Sequence, residues 1–376
     1  MAEIALLLEW RTAGHLPRAV AANCRMRSPG KAAVFLALFL LTRRLGFLKS
    51  ARRRSALSNK NLYRISSLKT TMRRILRPTQ MEKVTFYATR ARKWRFTRTF
   101  RRSDASIEQL REDLKNKTLV FTVTAGRTGS DFCCNLMDIL PNTVSTHEPE
   151  PAFQRVIREV QTDPEAAKRF WIEYKLPFIA SMNKRNYVET SNVFGKGFFQ
   201  PLLDLGLIPN LIILRREPRK IAMSYLERYC VPGRTKLGIE FLICPDDAVV
   251  LPMPGWRRMS DYQVIFWYAL EMERRQEIYT EQLRQQGGKA VETSAQALND
   301  PQNFLQVVRE LDLLDPDADT DELLKAHAEL SSRKHNKNYQ SLEYFGDADA
   351  EEEAVWEAIS AVDPGFRARV EARYSR

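Results

Sequence analysis

The chain has 376 residues, of which 44% are hydrophobic and 28% are charged, and its formal net charge is +13. This length and apolar content fit a globular protein with one large or two ordinary domains. The five cysteines form no C-x-x-C pair and only four histidines are present, which argues against a zinc site or a disulfide framework.

The positive charge is concentrated at the N-terminus. Residues 1–103 contain 25 Lys or Arg and three acidic residues, which leaves 34 basic and 43 acidic residues in 104–376. The two parts therefore have opposite net charges, and the distribution argues against nucleic-acid binding by the protein as a whole. We expect 1–103 to be a basic, acid-poor extension and 104–376 to be an α/β domain.

The N-terminal extension has three interpretations that its sequence does not separate. Its apolar run, 32–41, is ten residues long, about half of the roughly 20 apolar residues that a membrane-spanning helix needs. The extension fits a poorly ordered Arg-rich segment, a membrane-surface or organelle-targeting segment, or a nucleic-acid-binding arm. The compartment stays open between cytoplasmic, peripherally membrane-associated and organellar.

The remainder alternates short apolar runs with helical patterns, which predicts a three-layer α/β fold with a central, mostly parallel sheet. Strands are predicted at 118–124, 143–146, 187–190, 210–215 and 289–293. Helices are predicted at 131–140, 151–182, 198–205, 219–228, 261–286, 301–311 and 320–330. In the helix at 261–286, Trp267 and Tyr268 are predicted to lie in the core. Four prolines between 230 and 260 predict a long surface loop.

A candidate phosphate-binding loop joins the first strand to the first helix. Gly126 and Gly129 permit backbone conformations that direct N–H groups at one point. The helix, for which Ser130 or Asp131 is the expected cap, adds free N–H groups and the positive end of its dipole. Arg127 adds a cation whose paired donors suit phosphate or sulfate oxygens. The predicted anion-binding residues are therefore Gly126, Arg127, Thr128, Gly129 and Ser130; an ordinary tight turn is the alternative.

A second basic segment follows the strand predicted at 210–215. Pro218 is placed to begin a helix, so that Arg216 at the strand end and Ser224 in the second helical turn face one anion from two sides. Ligands of parallel sheets bind at the carboxyl ends of the strands. Two anion-binding segments at two strand ends suit a nucleotide with phosphate on both its 5' and 3' sides, whereas a solvated basic helix start is the alternative.

Together these segments resemble the sulfotransferases that use 3'-phosphoadenosine 5'-phosphosulfate (PAPS), nearest in layout to the protein-tyrosine and carbohydrate types. The loop from Arg127 to Asp131 is similar to the family's 5'-phosphosulfate loop, and Arg216 with Ser224 is similar to its 3'-phosphate motif. The segment 291–314 resembles the family's strand, Asp-Pro turn and closing helix. The resemblance covers about 117–315. It departs from the family pattern at Asp131, where a small hydroxyl residue is usual, and at Glu217, where Asn or Asp is commoner.

The resemblance implies PAPS as donor, no metal, and in-line sulfuryl transfer to a hydroxyl or amine of an acceptor whose class stays open. Glu148 falls on the position of the catalytic glutamate of protein-tyrosine sulfotransferases, which makes it the expected base, with His147 as the alternative. Arg127 is expected to offset charge on the leaving phosphate.

Two other function classes are considered, a non-catalytic scaffold with the same fold and a divergent nucleotide kinase. No Walker A sequence occurs in the chain, which argues against the kinase. Retention of Arg127, Arg216, Ser224 and Glu148 argues against the scaffold.

Two basic segments outside these motifs have a weaker link to the donor. Lys196 lies in a Gly-rich stretch from which it is able to reach the donor, although a solvated loop is the favoured interpretation. The segment 332–336 is either a lid over the nucleotide or a plain charged loop.

Overall fold

The computed structural model describes residues 102–315, 317–332, 344 and 346–375. A central sheet of five parallel strands is formed by β1 (Thr118–Val123), β2 (Thr143–Thr146), β3 (Asn186–Glu189), β4 (Asn210–Leu214) and β5 (Ala290–Thr293). All five strands were expected from the sequence, and the predicted α/β fold with a parallel sheet is confirmed. The predicted extension, 1–103, lies almost entirely outside the described residues, as does 333–336 of the candidate lid.

The strand order β2-β3-β1-β4-β5 places β1 at the centre of the sheet. The chain leaves β1 towards β2 at one edge and later passes from β3 to β4 on the other side of β1. The topological switch point therefore lies at the carboxyl end of β1, which is where ligands of open α/β sheets bind.

Helices cover both faces of the sheet. The helices before β4 are α1 (Ile107–Leu114), α2 (Ser130–Asp138), α3 (Ile157–Val160), α4 (Glu165–Phe170), α5 (Leu176–Ala180) and α6 (Phe199–Asp204). Those after it are α7 (Pro218–Glu227), α8 (Lys236–Phe241), α9 (Asp261–Gln285), α10 (Pro301–Glu310), α11 (Asp321–Ser332), α12 (Ala348–Ser360) and α13 (Phe366–Tyr374). Among the described residues, no helix is both long and apolar enough to cross a membrane.

Successive residues of β1 face two separate apolar layers, as strand alternation requires. Phe121 packs in the layer that contains Trp171 and Trp267, whereas Val120 packs in the layer formed mainly with α2 and α10. Trp267 and Tyr268 are fully buried, so their predicted place in the core is confirmed.

The structure corrects two predicted segments. The single helix expected at 151–182 is divided into α3, α4, a π-helical turn at Trp171–Lys175 and α5, and Pro164 lies just before α4, where its missing N–H costs nothing. The region 230–260 contains α8 and buried apolar residues such as Ile243, so it is not a surface loop. Thr235 begins α8 by accepting a hydrogen bond from the Gly238 N–H, a capping signal that the prolines obscured.

Candidate active site

The loop between β1 and α2 is tightly folded around left-handed backbone conformations. Gly126, Arg127 and Gly129 have φ angles of 81°, 61° and 89°. For Arg127 such a conformation costs roughly 1–2 kcal/mol, so surrounding contacts must hold it. Thr124 supplies two of them, because its Oγ1 lies 2.6 Å from Thr128 Oγ1 and accepts the Gly126 N–H at 3.2 Å.

Two buried tyrosines hold the start of the loop, and this role was predicted for neither of them from the sequence. The hydroxyls of Tyr225 and Tyr268 both donate to the Ala125 carbonyl, at 2.7 and 2.6 Å. A Cβ at Gly126 would lie 2.3 Å from the Tyr225 hydroxyl. Glycine is therefore needed at 126 for space as well as for its φ angle.

The N-terminus of α2 presents a series of backbone donors. Among the residues that the structure describes, the N–H groups of Thr128, Gly129, Ser130 and Asp131 have no backbone acceptor in a turn or loop, while the Cys133 N–H donates to the Gly129 carbonyl at 3.0 Å. Gly129 occupies the N-cap position without a side-chain cap, so the predicted capping role of Ser130 or Asp131 is wrong. Consecutive N–H groups at a helix start form an anion-binding site.

Arg127, Arg216 and Ser224 are brought together beside this loop. Arg127 Nε donates to Ser224 Oγ at 3.1 Å, and Arg216 Nη1 donates to the Arg127 carbonyl at 2.5 Å. Arg216 is exposed at the surface, but partial burial of its guanidinium, and then the charge of Arg127, lower its pKa against the opposing charges of Glu227 and Glu217. An anion between the two guanidinium groups would relieve this repulsion.

The two neighbouring arginines have different partners. Arg215 is buried and pairs with Glu273 and Glu292, while Arg219 pairs with Asp349 and Glu352 in α12. These side chains connect the sheet to α9 and α7 to α12. Their guanidinium groups are therefore engaged in the fold and are not placed to bind a ligand with Arg216.

His147 is held on both ring nitrogens at the end of β2. Its Nδ1 lies 3.0 Å from Thr190 Oγ1, and its Nε2 lies 3.0 Å from Asp131 Oδ1. The exposed carboxylate of Asp131, the residue that departs from the family pattern, is thus directed to His147. With both nitrogens engaged, His147 is less available as a base than a carboxylate with an available oxygen.

Glu148 provides such a carboxylate. It is half-buried with a φ of 48°, and its Oε1 accepts a 2.6 Å hydrogen bond from Asn192 Nδ2. Within the described part of the chain, its Oε2 has no hydrogen-bond partner. Asn192 was not singled out from the sequence, although it belongs to a polar run that directly follows β3, at the same edge of the sheet.

Lys196 is buried, so its interpretation as part of a solvated loop is wrong. The side chain has no exposed surface, and its Nζ donates to Asn192 Oδ1 and to the Phe241 carbonyl, both at 2.7 Å. Burial lowers the pKa of Lys196 well below its ordinary value, while the charge of Glu148 acts in the opposite direction.

A buried ion pair lies behind the segment that contains Glu148. Lys175 Nζ lies 3.0 Å from Glu189 Oε2, which also accepts a 2.6 Å hydrogen bond from the Tyr187 hydroxyl. Lys175 Nζ additionally donates to the Pro149 carbonyl at 3.4 Å. Burial raises the pKa of Glu189 and lowers that of Lys175, and in each case the partner's charge opposes the shift.

The site thus combines a nest of backbone donors, two arginines, a serine and a carboxylate at the carboxyl ends of β1 to β4. In the described ranges, no three His, Cys, Asp or Glu side chains are grouped so that they hold a metal ion. The arrangement suits a ligand with two separate anionic groups, beside a carboxylate able to accept a proton.

The chain matches no protein-family model and no curated protein sequence. Among solved structures it is similar to the sulfotransferase domain from the curacin biosynthetic pathway, with 12% identity, coverage of 65% of this chain and 98% of that domain, and a TM-score of 0.37. A likeness this distant does not indicate an activity for this chain.

Proposed function

We propose that the protein transfers a sulfuryl group from PAPS to a hydroxyl or amine of an acceptor. The main support for this proposal is the contact between two segments whose sequences resemble the donor-binding motifs of PAPS-dependent sulfotransferases. Arg127, in the loop after β1, lies within hydrogen-bond distance of Ser224 and Arg216, which follow β4.

The donor set fits a nucleotide with phosphate groups on two sides. The N–H groups of residues 128–131 and the Arg127 guanidinium would bind the 5'-phosphosulfate, because helix N-termini and arginine both favour such oxyanions. Arg216 and Ser224 would bind the 3'-phosphate. The repulsion between Arg127 and Arg216 supports this assignment, since a ligand with two anionic groups would neutralise both cations.

Two tasks are left for the protein: to remove the acceptor's proton and to stabilise the negative charge on the departing nucleotide. PAPS supplies an activated sulfuryl group, so that a bond from the acceptor oxygen or nitrogen to sulfur forms while the sulfur–oxygen bond to the phosphate breaks. Glu148 Oε2 would accept the acceptor's proton. Arg127 would offset the negative charge that develops on the departing 3',5'-adenosine bisphosphate.

Calorimetric titration with 3',5'-adenosine bisphosphate, 5'-AMP and ATP tests the donor assignment. A charge-assisted contact to the 3'-phosphate contributes about 1.5–3 kcal/mol, so 3',5'-adenosine bisphosphate should bind roughly 10- to 100-fold more tightly than 5'-AMP. Equal affinity for these two nucleotides would overturn the assignment of Arg216 and Ser224. Preferential binding of ATP would favour a nucleotide kinase instead.

Transfer itself is tested with radiolabelled PAPS and three probe acceptors, 2-naphthol, a hexose and a primary amine. We expect labelled product with at least one of them and release of 3',5'-adenosine bisphosphate in equal amount. Tight binding of 3',5'-adenosine bisphosphate without transfer to any probe, and without PAPS turnover to sulfate, would favour the non-catalytic scaffold.

A further inference from the structure

A buried lysine is connected to the proposed base through a single side chain. Lys196 lies in the turn between β3 and α6, and its Nζ contacts Asn192 Oδ1, the Phe241 carbonyl and the ring of Tyr268, whose centroid is 5.2 Å away. Removing an ammonium from water is costly unless it is paired and hydrogen-bonded. Because Lys196 is buried, it does not contribute to solubility, and its position in the candidate site indicates another role.

The lysine determines which way the Asn192 amide faces. An ammonium only donates hydrogen bonds, so the amide oxygen must face Lys196 and the amide nitrogen must face the opposite way. That nitrogen lies 2.6 Å from Glu148 Oε1. A flipped amide would direct its N–H₂ at the ammonium and its oxygen at a carboxylate, and both contacts would be repulsive.

The backbone of Glu148 makes such support necessary. Its φ of 48° is in the left-handed region, which is unfavourable for a residue with a side chain. The neighbouring segment is held separately, by the Thr190 N–H donating to the Thr146 carbonyl at 2.9 Å and by Lys175 donating to the Pro149 carbonyl. The contact with Asn192 is the hydrogen bond that fixes the carboxylate itself.

Other charges act on Lys196 from the surrounding elements. Burial is the largest cause and lowers the pKa of Lys196; the charges of Glu148 and Cys230 oppose this shift, whereas those of Arg275 and Arg158 add to it. Glu148 is the largest of these charge effects, which agrees with the geometric connection through Asn192.

We propose that Lys196 and Asn192 position Glu148 as the base: the ammonium orients the amide, the amide holds Oε1, and Oε2 is left to face the acceptor. This inference depends on the proposed sulfuryl transfer for its catalytic meaning. Both residues are assigned as positioning residues because Lys196 has no exposed surface and the Asn192 amide is bonded to Lys196 on one side and to Glu148 on the other.

The hydrogen-bonded unit is tested first in the full chain without PAPS, by NMR of protein labelled with ¹⁵N-asparagine. The Asn192 side-chain amide is identified by its absence in Asn192→Ala. We expect one of its protons to resonate downfield and to move upfield in both Glu148→Gln and Lys196→Met. If the chemical shifts of the Asn192 amide protons are unchanged in both variants, the proposal is overturned, whatever the protein's activity.

The catalytic role is tested by a double-mutant cycle with radiolabelled PAPS and the probe acceptor that the wild-type protein sulfates. Asn192→Ala keeps the Cβ that packs close to Gly126, so affinity for 3',5'-adenosine bisphosphate should stay within about twofold while kcat falls roughly 10- to 100-fold. In a Glu148→Gln background the same change should lower kcat less than about twofold further, because the group being positioned is gone.

Gln161→Ala is the matched control. Gln161 Nε2 donates to the Lys196 backbone carbonyl at 2.7 Å and does not touch the ammonium, so this change should leave kcat within about twofold of wild type.

Two outcomes would overturn this inference but not the proposed function. They are equal losses of kcat from Asn192→Ala in both backgrounds, and a loss of nucleotide affinity that parallels the loss of kcat; either would show a structural role for Asn192. If wild-type protein neither binds 3',5'-adenosine bisphosphate nor uses PAPS, the proposed function fails first. Asn192→Ala still decides the matter if Lys196→Met does not fold.

Discussion

Arg127 Nε lies 3.1 Å from Ser224 Oγ, although 97 residues separate them in the sequence. This hydrogen bond joins the loop after β1 to the second turn of α7. The two segments expected to bind the 5' and 3' sides of one nucleotide are therefore neighbours in a single site. Because Ser224 Oγ accepts a hydrogen bond from the Arg127 guanidinium, we expect loss of this hydroxyl to affect the 5' side as well.

Arg216→Ala should remove the preference for the 3'-phosphate. The change removes a cation at the end of β4 and leaves the loop N–H groups in place, so 3',5'-adenosine bisphosphate should lose about 2 kcal/mol of binding free energy. Affinity for 5'-AMP should change little. Calorimetry with both nucleotides measures the difference.

Lys220→Ala is the control for loss of charge at this helix start. Lys220 is exposed and pairs with Glu217 one turn away, and exposed pairs contribute little. We expect its nucleotide affinities to match those of wild type. If Lys220→Ala weakens binding as much as Arg216→Ala, the effect is general electrostatic attraction and the assignment to Arg216 is wrong.

Gly126→Ala should damage the loop more than its φ angle alone explains. Gly126 and Gly287 have similar φ angles, 81° and 77°, but an added Cβ at 287 meets nothing within 4 Å. Gly287→Ala should therefore report only the backbone strain, about 1 kcal/mol in the free energy of unfolding. Gly126→Ala adds a clash with the Tyr225 hydroxyl. We expect a larger loss of stability in denaturant unfolding, together with loss of nucleotide binding. Equal losses of stability in Gly126→Ala and Gly287→Ala would mean that the clash with the Tyr225 hydroxyl has no energetic cost.

The positions of the strands and of the candidate anion-binding loop were predictable because they depend on local patterns. Apolar, β-branched runs identify β1 and β4, and polar residues directly after them must meet at one edge of a parallel sheet. The Gly126 and Gly129 positions likewise follow from turn chemistry.

The supporting residues were not predictable, because distant parts of the chain create their roles. Tyr225 and Tyr268 resemble ordinary core aromatics in the sequence, and only the packing of α7 and α9 brings both hydroxyls to Ala125. Lys196 has the sequence context of a solvated loop, yet α8 and the β3–α6 turn enclose it. No helix was predicted within 341–376, although α12 in this segment pairs with Arg219 through Glu352.

The buried Lys175–Glu189 pair should be more costly to break than to replace. Removing one partner leaves a buried charge uncompensated, so Lys175→Met or Glu189→Gln alone should cost about 3–5 kcal/mol of stability. The double variant should be less destabilised than the sum of the two single variants. Denaturant unfolding of all three measures the coupling; additive losses would mean that the pair does not interact.

The same pair predicts a dependence of stability on pH. Folding lowers the pKa of Lys175, with burial as the main cause, so between that lowered value and about 10.4 the unfolded chain binds more protons than the folded chain. The contribution of this group to stability therefore rises with pH across that window. Wild-type protein should gain stability relative to Lys175→Met as the pH approaches 10. A constant difference between the two proteins would contradict the assigned direction.

Glu148→Gln should separate catalysis from donor binding. The change preserves shape and removes the proton acceptor, so affinity for 3',5'-adenosine bisphosphate should stay nearly unchanged while turnover of PAPS with the probe acceptor falls by roughly 10²-fold or more. The matched variant is His147→Ala, at the adjacent position. Because His147 is held by Thr190 and Asp131, its loss should lower turnover much less.

The ranking of these two variants decides which residue is the base. If His147→Ala is the more damaging change while nucleotide binding is retained, the imidazole is the base and Glu148 is a positioning residue. A third comparison, Asp131→Asn, separates these cases, because it keeps a hydrogen-bond acceptor for His147 but removes the charge that would stabilise an imidazolium. With Glu148 as base, we expect turnover of Asp131→Asn within about threefold of wild type, whereas an imidazole base should lose at least tenfold. If neither Glu148→Gln nor His147→Ala alters turnover, proton removal takes place elsewhere and the similarity to the protein-tyrosine sulfotransferases does not extend to the base.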